Sequence, residues 1–103
     1  MLNLDFSKDF DFNSKDSFRV KIKDNNKEVI FISYLKYEGP ITLQYLDNGG
    51  IISLFNYHLI IKVNNGYLDV TKLKYEDKVY TSKEFINLFG SNNLLNHYFV
   101  SIK

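Results

Sequence analysis

The sequence predicts a mainly β protein: five to six short strands curled into a small closed or nearly closed barrel, with one short helix over about residues 81–89. Two observations carry this. Apolar residues alternate at period two between turn-forming clusters spaced about 8–12 residues apart, and helix-start chemistry occurs once. The third consideration is size, because 103 residues with 45% hydrophobic side chains make one core-bearing domain and leave no room for a second.

From Phe18, the residues Phe18, Val20 and Ile22 alternate with Arg19, Lys21 and Lys23, a strand with one buried and one wet face. The turn Asp24-Asn25-Asn26-Lys27 leads into Val29-Ile30-Phe31-Ile32, apolar on both faces and therefore central. Further strands are expected over Ile41–Tyr45 after Gly39-Pro40, and over Ile51–Phe55 after the turn Asp47–Gly50. The runs Leu59–Val63 and Tyr67–Thr71 flank Asn64-Asn65-Gly66, and Asn-Gly suits the positive φ angles of a type I′ hairpin turn. With Asn65-Gly66 as the loop, Val63 faces Leu68, Ile61 faces Val70 and Lys62 faces Asp69. Thr81-Ser-Lys-Glu84 reads as a capping box, with Tyr80 and Phe85 at the staple positions, an apolar stripe of Phe85, Leu88 and Phe89, and Gly90 as the stop. A last edge strand over Tyr98–Ile102 has no partner assignable from sequence.

Residues 1–16 differ from the rest. Four Asp (Asp5, Asp9, Asp11, Asp16) against Lys8 and Lys15 give this acidic arm a net −2, which leaves +3 on the barrel domain, residues 17–103, of a chain whose total is +1. The arm is either docked through Phe6, Phe10 and Phe12 or a poorly ordered lead-in.

Composition narrows the chemistry. With no Cys there is no disulfide framework, no thiolate nucleophile and no sulfur-ligated metal site. His58 and His97 stand 39 residues apart without a carboxylate constellation, Glu76-Asp77 sits in a turn, and the five Gly are accounted for by turns and caps. No catalytic residue, metal or cofactor is assigned, and the chain is read as a non-enzyme. No apolar run approaches the roughly 18 residues that cross a bilayer, and Met1–Asp5 lacks the basic, apolar start of a signal peptide, so no membrane is expected and a cytoplasmic location is.

In the order and spacing of its stations, the stretch from Phe18 to Gly90 resembles the C-terminal domain of the methionyl-tRNA formyltransferase family, an OB-like β-barrel also found at the end of some sugar N-formyltransferases. The stations are Phe18–Lys23, Asp24–Asn26, Glu28–Ile32, Gly50–Ile52, Leu59–Gly66, Tyr67–Val70 with Leu73, Lys78, and Tyr80–Ile86. The family's Gly-Asp-Gly turn is Asn64-Asn65-Gly66 here, and its Gly-Lys-Lys link is Asp77-Lys78-Val79. The family's catalytic residues lie in a domain this chain does not contain, so the resemblance implies an OB-like fold and a binding role without a reaction.

Barrels of this kind bind single strands by aromatic stacking with flanking cations. Arg19, Lys21 and Lys23 are expected on one outward face and Lys62, Lys72 and Lys74 in a second cluster, with Tyr57, Tyr67 or Tyr75 as stacking surfaces. The expected partner is tRNA or another single-stranded nucleic acid or nucleotide ligand. The alternative is a protein-interaction or dimerisation module, assisting a formyltransferase catalytic subunit, self-associating, or acting as a mobile-element regulator. Eight Tyr and nine Phe exceed what a small barrel hides, so aromatics of the arm or of residues 93–99 are candidates for an exposed patch.

Overall fold

The computed structural model describes residues 1–41, 47–53, 57–90, 94 and 97–102. Among these the elements run β1 (Leu2–Asn3), β2 (Phe18–Ile22), β3 (Glu28–Lys36), β4 (Ile51–Ser53), β5 (Leu59–Val63), β6 (Gly66–Tyr75), β7 (Lys78–Thr81), α1 (Ser82–Phe89) and β8 (Phe99–Val100). The fold is mainly β with a single short helix, as expected. The strand predicted over Ile41–Tyr45, apart from Ile41, and the end of the one over Ile51–Phe55 lie outside the described residues, as does the Ser91–Asn93 break.

Period-two patterning forms the β2–β3 hairpin, in which Phe18 stands opposite Phe31 and Lys21 opposite Glu28. The order β1-β2-β3-β6-β5-β4 makes one sheet, with β7 pairing β6 and β8 pairing β2. Its two ends meet at a single bridge, Gly50 with Tyr98. The sheet is therefore not closed into the expected barrel. A two-residue β8 offers too few backbone groups for a ladder along the seam.

The hairpin of β5 and β6 forms in a register different from the expected one. Val63 pairs with Gly66, Ile61 with Leu68, Ile60 with Asp69 and Lys62 with Tyr67. The loop is thus Asn64-Asn65, and the apolar faces survive because the pairing moved by an even step. Asn65 is held by the arm: its side-chain amide accepts from the Phe10 N–H at 2.8 Å and donates to the Phe10 carbonyl at 2.9 Å. The two-residue positive-φ turn lies elsewhere, at Glu76-Asp77 between β6 and β7, with φ of 50° and 64°.

Side chains of one sheet face form the core, with Val20, Val29, Phe31, Leu59, Ile61, Leu68, Val70 and Leu73 all but inaccessible. Helix α1 adds Phe85 and Ile86, and the arm adds Leu4, Phe6 and Phe10, so the arm is docked and shares that core. Asn48 fastens it by donating to the Phe6 carbonyl at 2.7 Å. The aromatics pack in two layers. Phe10, Phe12, Phe18 and Tyr34 cluster under the arm, and Tyr75, Tyr80, Phe85 and Phe89 cluster under α1, with ring centroids 4.9–6.4 Å apart. Phe6, Phe10 and Phe99, candidates for an exposed patch, are buried in the core. Among the described residues no helix is long and apolar enough to cross a membrane.

Candidate functional site

Because Val20, Ile22, Val29, Phe31, Leu73 and Tyr75 point inward, their sequence neighbours on the same strands point outward. Cross-strand pairing puts Arg19, Ile30, Lys74 and Val79 in one row over β2, β3, β6 and β7. Beside it Lys21 faces Glu28, and Lys72 stands between Ser33 and Thr81. One outer face therefore gathers Arg19, Lys21, Lys72 and Lys74 around a half-buried Ile30, with Glu28 as its only carboxylate among these rows. The four cations and Glu28 of these rows sum to +3.

These cations differ in availability. Arg19 Nε lies 2.8 Å from Glu28 Oε1, although its N–H is not aimed at that oxygen, so the contact is Coulombic and both groups stay partly exposed. Lys21, Lys72 and Lys74 make no ion pair among the described residues. At the turn end, a groove of about 420 Å3 is lined by Lys27, Glu28, Ile30, Lys74, Glu76 and Asp77. Lys27 and Glu76 form an ion pair that raises the Lys27 amine and lowers the Glu76 carboxyl from their ordinary values. Three carboxylates against two amines make this groove a poor seat for an anion. It bounds the cationic strip instead.

Two of the six expected contact residues fall elsewhere. Lys23 lies past the end of β2, 6.0 Å from the Tyr98 ring centroid, and lines a pocket that Asp47 also lines. Lys62 is on β5, where its Nζ is 3.3 Å from both the Asn48 side-chain oxygen and the Val63 carbonyl. It is occupied by structure. The expected second cluster is thus divided, since Lys72 and Lys74 join Arg19 and Lys21 across β3, a pairing between distant segments that local alternation does not reveal. Of the three tyrosines, Tyr75 is buried against Phe85 and Phe89 and cannot stack on a ligand, and Tyr67 lies beside Lys62 away from the strip. Tyr57 is 45% exposed.

The far end of the strip brings together Tyr57, expected as a stacking surface, with His58, Asp69 and Lys83, a grouping that sequence patterning did not single out. Asp69 shares the outer face of β6 with Lys72 and Lys74, and its Oδ2 lies 2.8 Å from His58 Nδ1. Asp69 is 7% exposed and its Oδ1 has no hydrogen-bond partner among the described residues. Lys83, two residues past the Thr81 that faces Lys72, places its Nζ 5.1 Å from the Tyr57 ring centroid. The available signal was an Asp set between Leu68 and Val70, a charge in the middle of a buried strand. His97 pairs separately with Asp24 at 2.8 Å, so the two histidines share no carboxylate. Among the described residues no group of three or more His, Asp or Glu could hold a metal. No family model, curated protein or solved structure matches the chain.

Proposed function

We propose that the protein is a non-catalytic binding domain whose outer β2-β3-β6-β7 face contacts the phosphates of a nucleic acid. The observation that carries this reading is the gathering of Arg19, Lys21, Lys72 and Lys74 from two distant segments onto one face, three of them without a carboxylate partner among the described residues. Strands about 4.8 Å apart present these amines at a spacing a phosphate backbone can follow. The likeness of Phe18–Gly90 to formyltransferase C-terminal domains makes tRNA the first nucleic acid to try, with assistance to a formyltransferase as the setting.

Each cation that neutralises a phosphate of a single strand adds about −0.7 to the slope of log K against log salt. Four cations predict a slope near −2.8 for a short RNA, and the pair Lys21→Glu with Lys74→Glu removes at least half of it. Fluorescence anisotropy across a salt series measures both. An unchanged slope in the double variant, with the fold intact, sinks the proposal. A second reading, self-association or docking on a partner subunit, draws on Leu35, which is 64% exposed on β3 opposite Asp69. Light scattering over a concentration series tests it, and a constant monomer mass removes the self-association form.

A further inference from the structure

The strip ends at a corner whose geometry points beyond phosphate contact. Tyr57 sits at φ +62°, a conformation a bulky aromatic residue rarely adopts. Strain of this kind persists where the surroundings impose it, and it collects at binding sites. Here it holds a phenol ring 45% exposed, directly before His58 and beneath Lys83. His58 is itself aimed. A carboxylate oxygen at 2.8 Å accepts from the Nδ1–H, which leaves Nε2 of a half-exposed ring free to accept. Asp69, the residue that orients it, is buried and carries an Oδ1 without a partner among the described residues, so the pair stands in the sheet despite its desolvation cost. Along β6, Asp69 precedes Lys74 by five residues, roughly 15 Å of strand. Lys72 lies between them. The corner and the strip are therefore one continuous outer surface.

We infer that Tyr57, His58 and Lys83 form a subsite for one unpaired base, so that the ligand of the cationic face is single-stranded. The ring of Tyr57 supplies a stacking platform, His58 Nε2 a hydrogen bond to the edge of the stacked base, and Lys83 the charge for the adjoining phosphate. A base paired in a duplex has both of its faces covered by neighbours and cannot reach such a ring. This inference rests on the phosphate-binding reading and adds a choice between strand forms that the reading alone does not make.

The test uses the full chain and two labelled probes, a uridine oligomer of about ten nucleotides and a blunt RNA duplex of the same length. Wild type is expected to favour the oligomer. Tyr57→Ala should weaken oligomer binding by about 5- to 100-fold while leaving duplex binding unchanged, and Tyr57→Phe should bind as wild type. Tyr57→Leu keeps apolar bulk without a ring and should behave as Tyr57→Ala, which separates stacking from mere contact. Circular dichroism confirms that each variant folds. If Tyr57→Ala holds the oligomer as tightly as wild type while the Lys21 and Lys74 reversals weaken it, the stacking subsite is wrong and the phosphate face stands. If folded wild type binds neither probe at low salt, the phosphate reading falls and the subsite with it.

Discussion

Glu76 and Asp77 turn the chain from β6 to β7 with both φ angles positive, the pattern that suits Asn-Gly far better than two acidic residues. An L residue there brings its Cβ against the following carbonyl, and glycine at the second position removes that contact while returning some entropy to the unfolded chain. Asp77→Gly is expected to gain about 0.5 kcal/mol net, raising the melting temperature by about 2–4 °C. It also removes a carboxylate from the groove beside Lys74, so affinity for RNA should rise in the same variant. Thermal unfolding followed by circular dichroism, with anisotropy alongside, checks both, and a lowered melting temperature would show that this turn stores no strain. The sequence marks Glu76-Asp77 as a turn, but it reserves the positive-φ geometry for Asn65-Gly66. That preference was overruled by Phe10, whose backbone takes both hydrogen-bonding groups of the Asn65 amide.

Helix α1 shows how far local chemistry specifies an element. Thr81 Oγ1 accepts from the Glu84 N–H at 3.2 Å, and the Glu84 carboxylate accepts from the Thr81 N–H at 2.9 Å, as the Thr-x-x-Glu spacing requires. Thr81→Ala should cost about 1 kcal/mol and lower the melting temperature by about 4–8 °C. Hydrogen bonds from the Thr81 backbone and hydroxyl hold the Glu84 carboxyl below its ordinary value. A carboxyl lowered on folding contributes stability above its unfolded pKa and loses it as pH falls through the folded one. Glu84→Gln should therefore cost more at neutral pH than near pH 3, which urea midpoints at the two pH values would measure. Equal losses at both would mean that charge plays no part in the cap. Because Thr81 also faces Lys72, the helix start anchors the end of the cationic strip where Lys83 meets Tyr57.

On the scale of the molecule, the two ends of the open sheet are tied together at Gly49 and Gly50. The Gly49 N–H donates to the Lys62 carbonyl at 2.7 Å and its own carbonyl accepts from Phe99 N–H at 2.8 Å, joining β5 to β8. Gly49 has φ +91°, and a Cβ there would run into the Phe99 carbonyl oxygen. Gly49→Ala combines backbone strain with a clash against main chain that cannot move aside, and should cost about 2–4 kcal/mol. Hydrogen exchange would locate the damage: the amides of Lys62 and Phe99 should lose protection first, while those of the β3–β6 ladder keep theirs. Uniform loss across the sheet would mean that the seam is no separate unit. The acidic arm belongs to the same scale, since Phe6 and Phe10 enter a core assembled from segments far along the chain.

The amino-acid sequence by itself determined the strand faces, the main hairpins and the helix start, because each depends on residues within a few positions of one another: Val20 beside Lys21, Thr81 three before Glu84. The tertiary structure decided what those faces meet. Pairing of β3 with β6 brought Arg19 and Lys74 into one row, the arm took up Asn65, and folding buried Tyr75 while leaving Tyr57 outside. Period-two alternation says which side of a strand a lysine occupies, but the identity of the neighbouring strand is settled by packing over the whole core.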